Sequence, residues 1–228
     1  MSLFSLWWEA LPSLLVGLLE ALKLTVFSVG LGFLLGWILA FLRMYGGTVA
    51  ARVSGAYIEF VRGTPLLVQL FIVYYGLPEL GLVFSPFAAA LTAMALNTAA
   101  YQAEYFRAAL SSISQGQVLA ALALGLSRFQ MLRDVLFPQA LRLVLPAWSN
   151  EVVYMLKSSS LAFIVGVMEI TGRANLLAAR RFRYFELYLL VAVLYLIVVF
   201  GASSALAAVE RRLRLPGLGT EPARPRMA

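Results

Sequence analysis

Cysteine and histidine are both absent from this 228-residue chain, and charge is scarce, with Asp, Glu, Lys and Arg making up 13%. Without Cys there are no disulfides and no thiolate ligands, and without His the usual zinc and haem sites lose their commonest donor. A carboxylate-only site would need clustered acids, and the 11 Asp and Glu residues show no such cluster. No metal and no cofactor are expected. The same absences leave no nucleophile paired with a base, so no catalytic residues are expected. No Gly-x-x-x-x-Gly-Lys-Ser/Thr phosphate loop occurs, so ATP hydrolysis by that route is not expected of the chain itself. A soluble domain averages about 25% charged residues and about 45–50% apolar ones. Here 62% of residues are hydrophobic and the mean hydropathy is +0.87. Too little polarity remains to cover a water-facing surface. That points to an integral membrane protein and away from a soluble enzyme, a disordered chain or a nucleic-acid-binding module.

A bilayer core of about 30 Å takes about 20 mostly apolar residues per helix. Residues 24–42, 80–103 and 187–209 are uncharged throughout and meet that length. Residues 57–77 and 141–168 are apolar but interrupted, the first by Glu59, Arg62 and Pro65, the second by Pro146, Glu151 and Lys157. An all-α integral membrane fold of about five spans is expected, the first starting near Leu14 with Lys23 in its outer part. Residues 1–13 form an external N-terminal segment in this reading, 14–210 the membrane domain, and 211–228 a cytoplasmic, disordered tail. Trp7 and Trp8 read as an interfacial aromatic belt, and Gly30, Gly32 and Gly36 as close helix packing.

The net charge of +7 sets the orientation. Arg43 and Arg52 flank the first connection, Arg107, Arg128, Arg133 and Arg142 the third, and five arginines the tail, so these regions should lie in the cytoplasm. The N-terminus is then outside and the C-terminus inside. Arg173, Arg180, Arg181 and Arg183 oppose the rule in the fourth, external connection, where they pack back on the protein or meet an acidic partner.

The third connection, about 111–138, is patterned like an ordered element. Ser114 with Gln117 and Ser127 with Gln130 each have capping-box spacing. One helix is expected from Ser114 to Leu124, ended by Gly125 in the left-handed conformation, and a second from Ser127, stopped near Pro138. The pattern alone leaves open whether this helix rests on the membrane or inserts into a cytoplasmic partner.

Gly116-Gln117, Ala120-Ala121, Gly125 and the run VLFPQA ending at Ala140 resemble the conserved loop of ABC importer permeases. In that family the loop is a coupling helix docked on the ATP-binding subunit, and the resemblance implies that role for Gly116, Gln117, Leu119, Ala120, Ala121, Gly125 and Pro138. Leu119 stands where the family normally has Glu, which removes a charge and one potential contact with the ATPase. The runs YIEFVRGTPLLVQ from Tyr57, AYQAEYFR from Ala100 and LKSSSL from Leu156 are similar to permeases for polar amino acids of the histidine/glutamine type. Ser158 departs from that pattern, in which an acidic or amide residue is usual. The resemblance covers about residues 14–210. It implies the type I ABC permease fold and a bacterial inner (plasma) membrane location. Implied partners are two ABC ATPase subunits, a second permease subunit (identical or homologous) and an external solute-binding protein. A permease for an opine or another small solute remains an alternative, as does a channel or carrier that needs no ATPase.

A charge inside a span costs about 2.5–3.5 kcal/mol on insertion scales, so Glu151 and Lys157 need partners or a wet cavity. Helical spacing places Asn150, Tyr154 and Lys157 on one strip of a helix, with Glu151 and Ser158 on the next. One reading has Lys157 and hydroxyls such as Ser160 holding a substrate carboxylate, Glu151 taking an ammonium, and Asn97 completing the site. The other has Glu151 and Lys157 as a structural ion pair. Thr64 and Pro65 are expected to cap and open a helix, Arg62 to pair with Glu59 or Glu104 or to contact the ATPase side, and Glu104 to pair with Arg107 along one helix.

Overall fold

The computed structural model describes residues 3–213, which are helical almost throughout, with no strand among them. Helix α1 (Leu3–Tyr45) is 43 residues long. Nothing in its apolar run stops it before the corner at Gly47, which takes φ +76°. The helix that carries the first expected span thus starts at Leu3, ahead of Leu14, with Pro12 inside it. Trp7 donates its indole N–H to the Glu186 carbonyl at 2.9 Å, so the leading turns are tied to the rest of the bundle.

Helix α2 (Gly47–Gly63) is followed by α3 (Leu66–Phe71), a π turn (Ile72–Gly76) and a 3-10 turn (Leu77–Leu80). The chain bends by 106° between the two halves. Proline pushes the residue before it into extended geometry, and Thr64 adopts φ −117° and ψ 144°. Thr64 does not cap the next helix. Its hydroxyl donates back to the Phe60 carbonyl at 3.0 Å, and Pro65 itself occupies the N-cap position.

Gly81, at φ +82°, ends the 3-10 turn, and α4 (Pro86–Ser112) begins after Ser85, whose hydroxyl accepts from the Ala88 N–H. The helix of the third expected span thus starts at Pro86, and residues 80–85 of that run precede it. Next come α5 (Gln115–Ala123), α6 (Arg128–Gln130), a π turn (Met131–Leu136) and α7 (Phe137–Ser158). The helix expected to stop near Pro138 does not stop. Proline lacks the N–H for the carbonyl four residues back. The preceding turn is widened to π geometry, and Pro138 sits in the first turn of α7. A 3-10 turn (Ser159–Val165), α8 (Ile170–Arg181) and α9 (Tyr184–Leu213) complete the described chain. Of the tail expected over 211–228, residues 211–213 belong to the last turn of α9, and residues 214–228 lie outside the described residues.

By length and apolarity α1 and α9 can each cross a bilayer alone, and two bent pairs raise the candidates to four. The 27-residue α4, about 40 Å long at 1.5 Å per residue, stands at the centre and packs on α1, α2, α3 and α7. Its buried positions are mostly alanine, including Ala89, Ala93, Ala99, Ala100 and Ala103. Lipid is as apolar as leucine, so helices in a membrane associate through close packing, which small residues permit. A Cβ on Gly32 would lie 2.3 Å from Thr98 Cγ2, and one on Gly36 would lie 2.9 Å from the Ala99 carbonyl oxygen. Gly30 is different, because a Cβ there meets nothing within 4 Å. Two of the three glycines expected to mark close packing do so.

Gly32→Val is expected to push α1 off α4 and cost about 1–3 kcal/mol. The detergent-solubilised variant should melt at a lower temperature, whereas Gly30→Ala should melt like the parent. Equal melting of Gly32→Val and parent would mean that the α1–α4 approach contributes nothing.

Candidate functional site

Polar residues inside the bundle form two connected groups on adjacent strips of α4. Asn97 Nδ2 donates to Gln69 Oε1 at 3.0 Å, and Gln69 Nε2 donates to the Val61 carbonyl at 2.7 Å and to Thr64 Oγ1 at 2.9 Å. Gln69 thereby stitches the α2–α3 bend to α4. Asn97, singled out from the sequence as part of a binding site, is buried in this stitch.

The second group surrounds Glu151, which is 3% exposed. Thr98 Oγ1 donates to Glu151 Oε1 at 2.7 Å, and the Tyr105 hydroxyl donates to Oε2 at 3.0 Å. Gln102 Nε2 donates to Thr98 Oγ1 at 3.0 Å and to the Val29 carbonyl at 3.1 Å. One seam therefore crosses α1, α4 and α7. Gln69, Thr98, Gln102 and Tyr105 did not stand out in the sequence. Their signal was a polar side chain inside an apolar run, which Gln69 and Gln102 show clearly.

Lys157 does not join this seam. It is exposed and forms no ion pair with Glu151. Six residues of helix are 600° of rotation, which leaves the two side chains about 120° apart around α7. Glu151 and Lys157 of one chain therefore do not pair with each other. Ser160 donates its hydroxyl to the Lys157 carbonyl at 2.7 Å, a local helix bond. Asn150, Tyr154 and Lys157 form the expected strip, and all three are exposed. Glu151 lies buried immediately behind it.

At the α5 end of the bundle Glu104 gathers three arginines from three helices. Arg43 of α1 makes a short contact with it, Arg107 of α4 lies at 2.9 Å, and Arg62 of α2 at 4.0 Å. Arg62 also stands over the Tyr101 ring, 5.4 Å from its centroid. Glu59 pairs with Arg43 at 3.7 Å.

Helix α5 projects beyond this cluster, and Ala121 is its one buried residue. Leu119 is 64% exposed, Leu124 80%, and Leu122, Gly116, Gln117 and Ala120 are exposed too. The Ser114–Gln117 capping box is not formed: the Gln117 N–H goes to the Ser114 carbonyl, not to its hydroxyl. The Ser127–Gln130 box is formed in both directions. Gly125 has φ +76°, its N–H bonds the Leu122 carbonyl at 2.9 Å, and the Leu126 N–H bonds the Ala121 carbonyl at 3.1 Å. That pair of bonds is a Schellman closure, so glycine is required at this position to end α5. Pro138 lies apart from this surface, in the first turn of α7.

Residues 32–215 match the family model described as binding-protein-dependent transport system inner membrane component. The octopine transport system permease protein of Rhizobium meliloti is 43% identical, covering 89% of this chain and 86% of that protein. The glutamine transport system permease protein of Escherichia coli K12 is 38% identical over 91% of this chain and 96% of that one. A chain from the crystal structure of an amino acid ABC transporter with histidines superposes with a TM-score of 0.87 at 36% identity, covering 93% of this chain and 99% of that chain. The MetNI methionine ABC transporter in an inward-facing form matches at TM-score 0.74 and 22% identity, covering 94% and 100%, which is a likeness of fold.

Removing a donor from Glu151 should leave a buried carboxylate oxygen unsatisfied, at a cost of about 1–3 kcal/mol. Thr98→Val and Tyr105→Phe are both expected to lower the melting temperature, and Thr98→Ser to preserve it. Thr98→Val melting together with Thr98→Ser would show that the seam does not hold α4 to α7.

Proposed function

This chain belongs to the family of binding-protein-dependent transport system inner membrane components, and we propose that it is the permease subunit of an ATP-driven importer of polar amino acids. The likeness to an amino acid ABC transporter at TM-score 0.87, together with the glutamine permease relative, carries that reading. The chain provides half of a path across the inner membrane, and a second permease subunit, identical or homologous, provides the other half. Two ATPase subunits on the cytoplasmic side and an external solute-binding protein complete the assembly. The N-terminus is outside and the C-terminus inside.

The substrate pauses against the exposed strip of α7. A strip holding Asn150, Tyr154 and Lys157 is a poor partner for lipid, and at a subunit interface it lines a wet cavity instead. Lys157, with no ion pair among the described residues, takes the substrate carboxylate, aided by Ser160. Glu151 supplies negative charge behind the strip for the ammonium, and Asn97 holds the bend that shapes the same cavity. ATP-driven closure of the ATPases moves α5, whose exposed Leu119, Ala120 and Leu122 seat in a groove of the partner, in the manner of an amphipathic helix laid in a cleft.

The octopine permease relative, at 43% identity, favours a second reading in which the solute is an opine. Binding titrations on the cognate solute-binding protein separate the two: tight binding of a common polar amino acid supports the first, and of an opine alone the second. Transport by the purified chain in liposomes lacking any ATPase would overturn both.

Lys157→Ala should leave assembly intact and reduce substrate-stimulated transport about tenfold, the scale of one charge-assisted hydrogen bond. Unchanged transport would remove Lys157 from the path. Gly125→Val places a β-branched residue at φ +76°, which costs about 1–2 kcal/mol and unravels the end of α5. ATPase capture by that variant should fall sharply in a pull-down, and full capture would count against α5 as the docking helix.

A further inference from the structure

The bundle holds a second buried carboxylate, which the proposed path does not use. Glu169 is fully buried and stands at the N-cap of α8. Its Oε1 accepts from the Gly172 N–H at 2.8 Å. Its Oε2 accepts from the Thr171 N–H at 2.9 Å and from the Tyr195 hydroxyl of α9 at 3.2 Å. Capping alone calls for a shorter side chain, that of Asp, Asn, Ser or Thr. The longer arm of Glu169 lets one carboxylate serve both the end of α8 and a hydroxyl on α9. Helix α1 closes the remaining side, since a Cβ on Gly17 would lie 2.7 Å from the Ile170 nitrogen and 2.8 Å from the Glu169 carbonyl carbon. Three helices thus meet at Glu169.

Tyr195 carries this anchor to the end of α7. Ser159 lies beside the Tyr195 hydroxyl, is fully buried, and donates its own hydroxyl to the Leu156 carbonyl at 2.7 Å. The winding of the chain changes here. Ser158 has ψ −20° and Ser159 ψ −24°, the values of a 3-10 helix, whereas an α-helix takes about −42°. Ser158 and Ser159 are the two residues between Lys157 and Ser160. Three residues complete a turn of 3-10 helix but fall about 60° short in an α-helix. The tighter winding therefore turns Ser160 toward the line of Lys157.

We propose, resting on Lys157 and Ser160 as the groups that take the solute carboxylate, that Glu169 is a positioning residue for the solute. Through Tyr195 it holds the 3-10 winding at Ser158 and Ser159, and so sets where Ser160 stands relative to Lys157. In line, the ammonium and the hydroxyl can both reach one carboxylate. Turned apart, they cannot.

The test is solute import by the full complex, with its ATPase subunits and solute-binding protein, reconstituted in liposomes. Glu169→Asp keeps a capping carboxylate for α8 but draws it back from Tyr195, and Tyr195→Phe removes the hydroxyl itself. Each variant should assemble and import about fivefold more slowly, the scale of one hydrogen bond. Tyr195→Phe carries the test if Glu169→Asp does not fold. Ser160→Ala should slow import to a similar degree, and adding Tyr195→Phe to it should slow import no further, because the group being positioned is gone. The same fivefold loss in both backgrounds is what a purely structural role gives, and it would overturn the positioning while leaving Lys157 in the path. Parental import by Tyr195→Phe or by Ser160→Ala would overturn it as well. Parental import by Lys157→Ala would overturn the reading of Lys157 itself, and the positioning with it.

Discussion

A carboxylate in the middle of a membrane bundle has no water to turn to, so the protein must supply its hydrogen bonds. Glu151 takes both from α4, through Thr98 and Tyr105. Thr98 is itself held by Gln102, which reaches across to the Val29 carbonyl of α1. That last bond requires α1 to come close, and Gly32 and Gly36 are where it does. The steric condition and the polar one therefore coincide. Three helices are brought together by small residues so that one buried acid can be satisfied, and the satisfied acid in turn fixes how they face one another.

The features legible in the sequence were those decided within a few residues. The long apolar helices α1 and α9, the helix ended by Gly125 and the Ser127–Gln130 box depend on local length, φ and capping, and the structure carries all of them. Features decided by neighbours were not legible. Ser114 and Gln117 have the spacing of a capping box, yet the backbone carbonyl of Ser114 takes the bond its hydroxyl was expected to make. Pro138 has the look of a helix stop, but the π turn before it lets the chain run on.

The polar site followed the same division. Asn97 and Glu151 were visible as polar residues in apolar stretches, while their partners were set by packing between distant segments. Thr98 and Glu151 are 53 residues apart, and Asn97 and Gln69 are 28 apart. Glu151 and Lys157 do not meet for a simpler reason: six residues of helix turn them away from each other. On α7, Glu151 faces inward, held by Thr98 and Tyr105, and Lys157 faces outward.

The same seam limits how the α5 end can move. Helix α5 hangs between two arms: α4, which ends at Ser112, and α7, which continues from α6 through the π turn. Both arms reach Glu151, one as donor and the other as bearer of the carboxylate. Sliding α4 against α7 would break bonds at Thr98 and Tyr105 and expose a buried charge to hydrocarbon, so such sliding is resisted at the centre of the bundle. Glu104 does the equivalent at the α5 end, holding Arg43, Arg62 and Arg107 and with them α1, α2 and α4. Both arms of α5 are thus tied to one another through Glu151. The compliance lies where hydrogen bonding is irregular, at the π turn of Met131–Leu136 and at the Thr64–Pro65 bend.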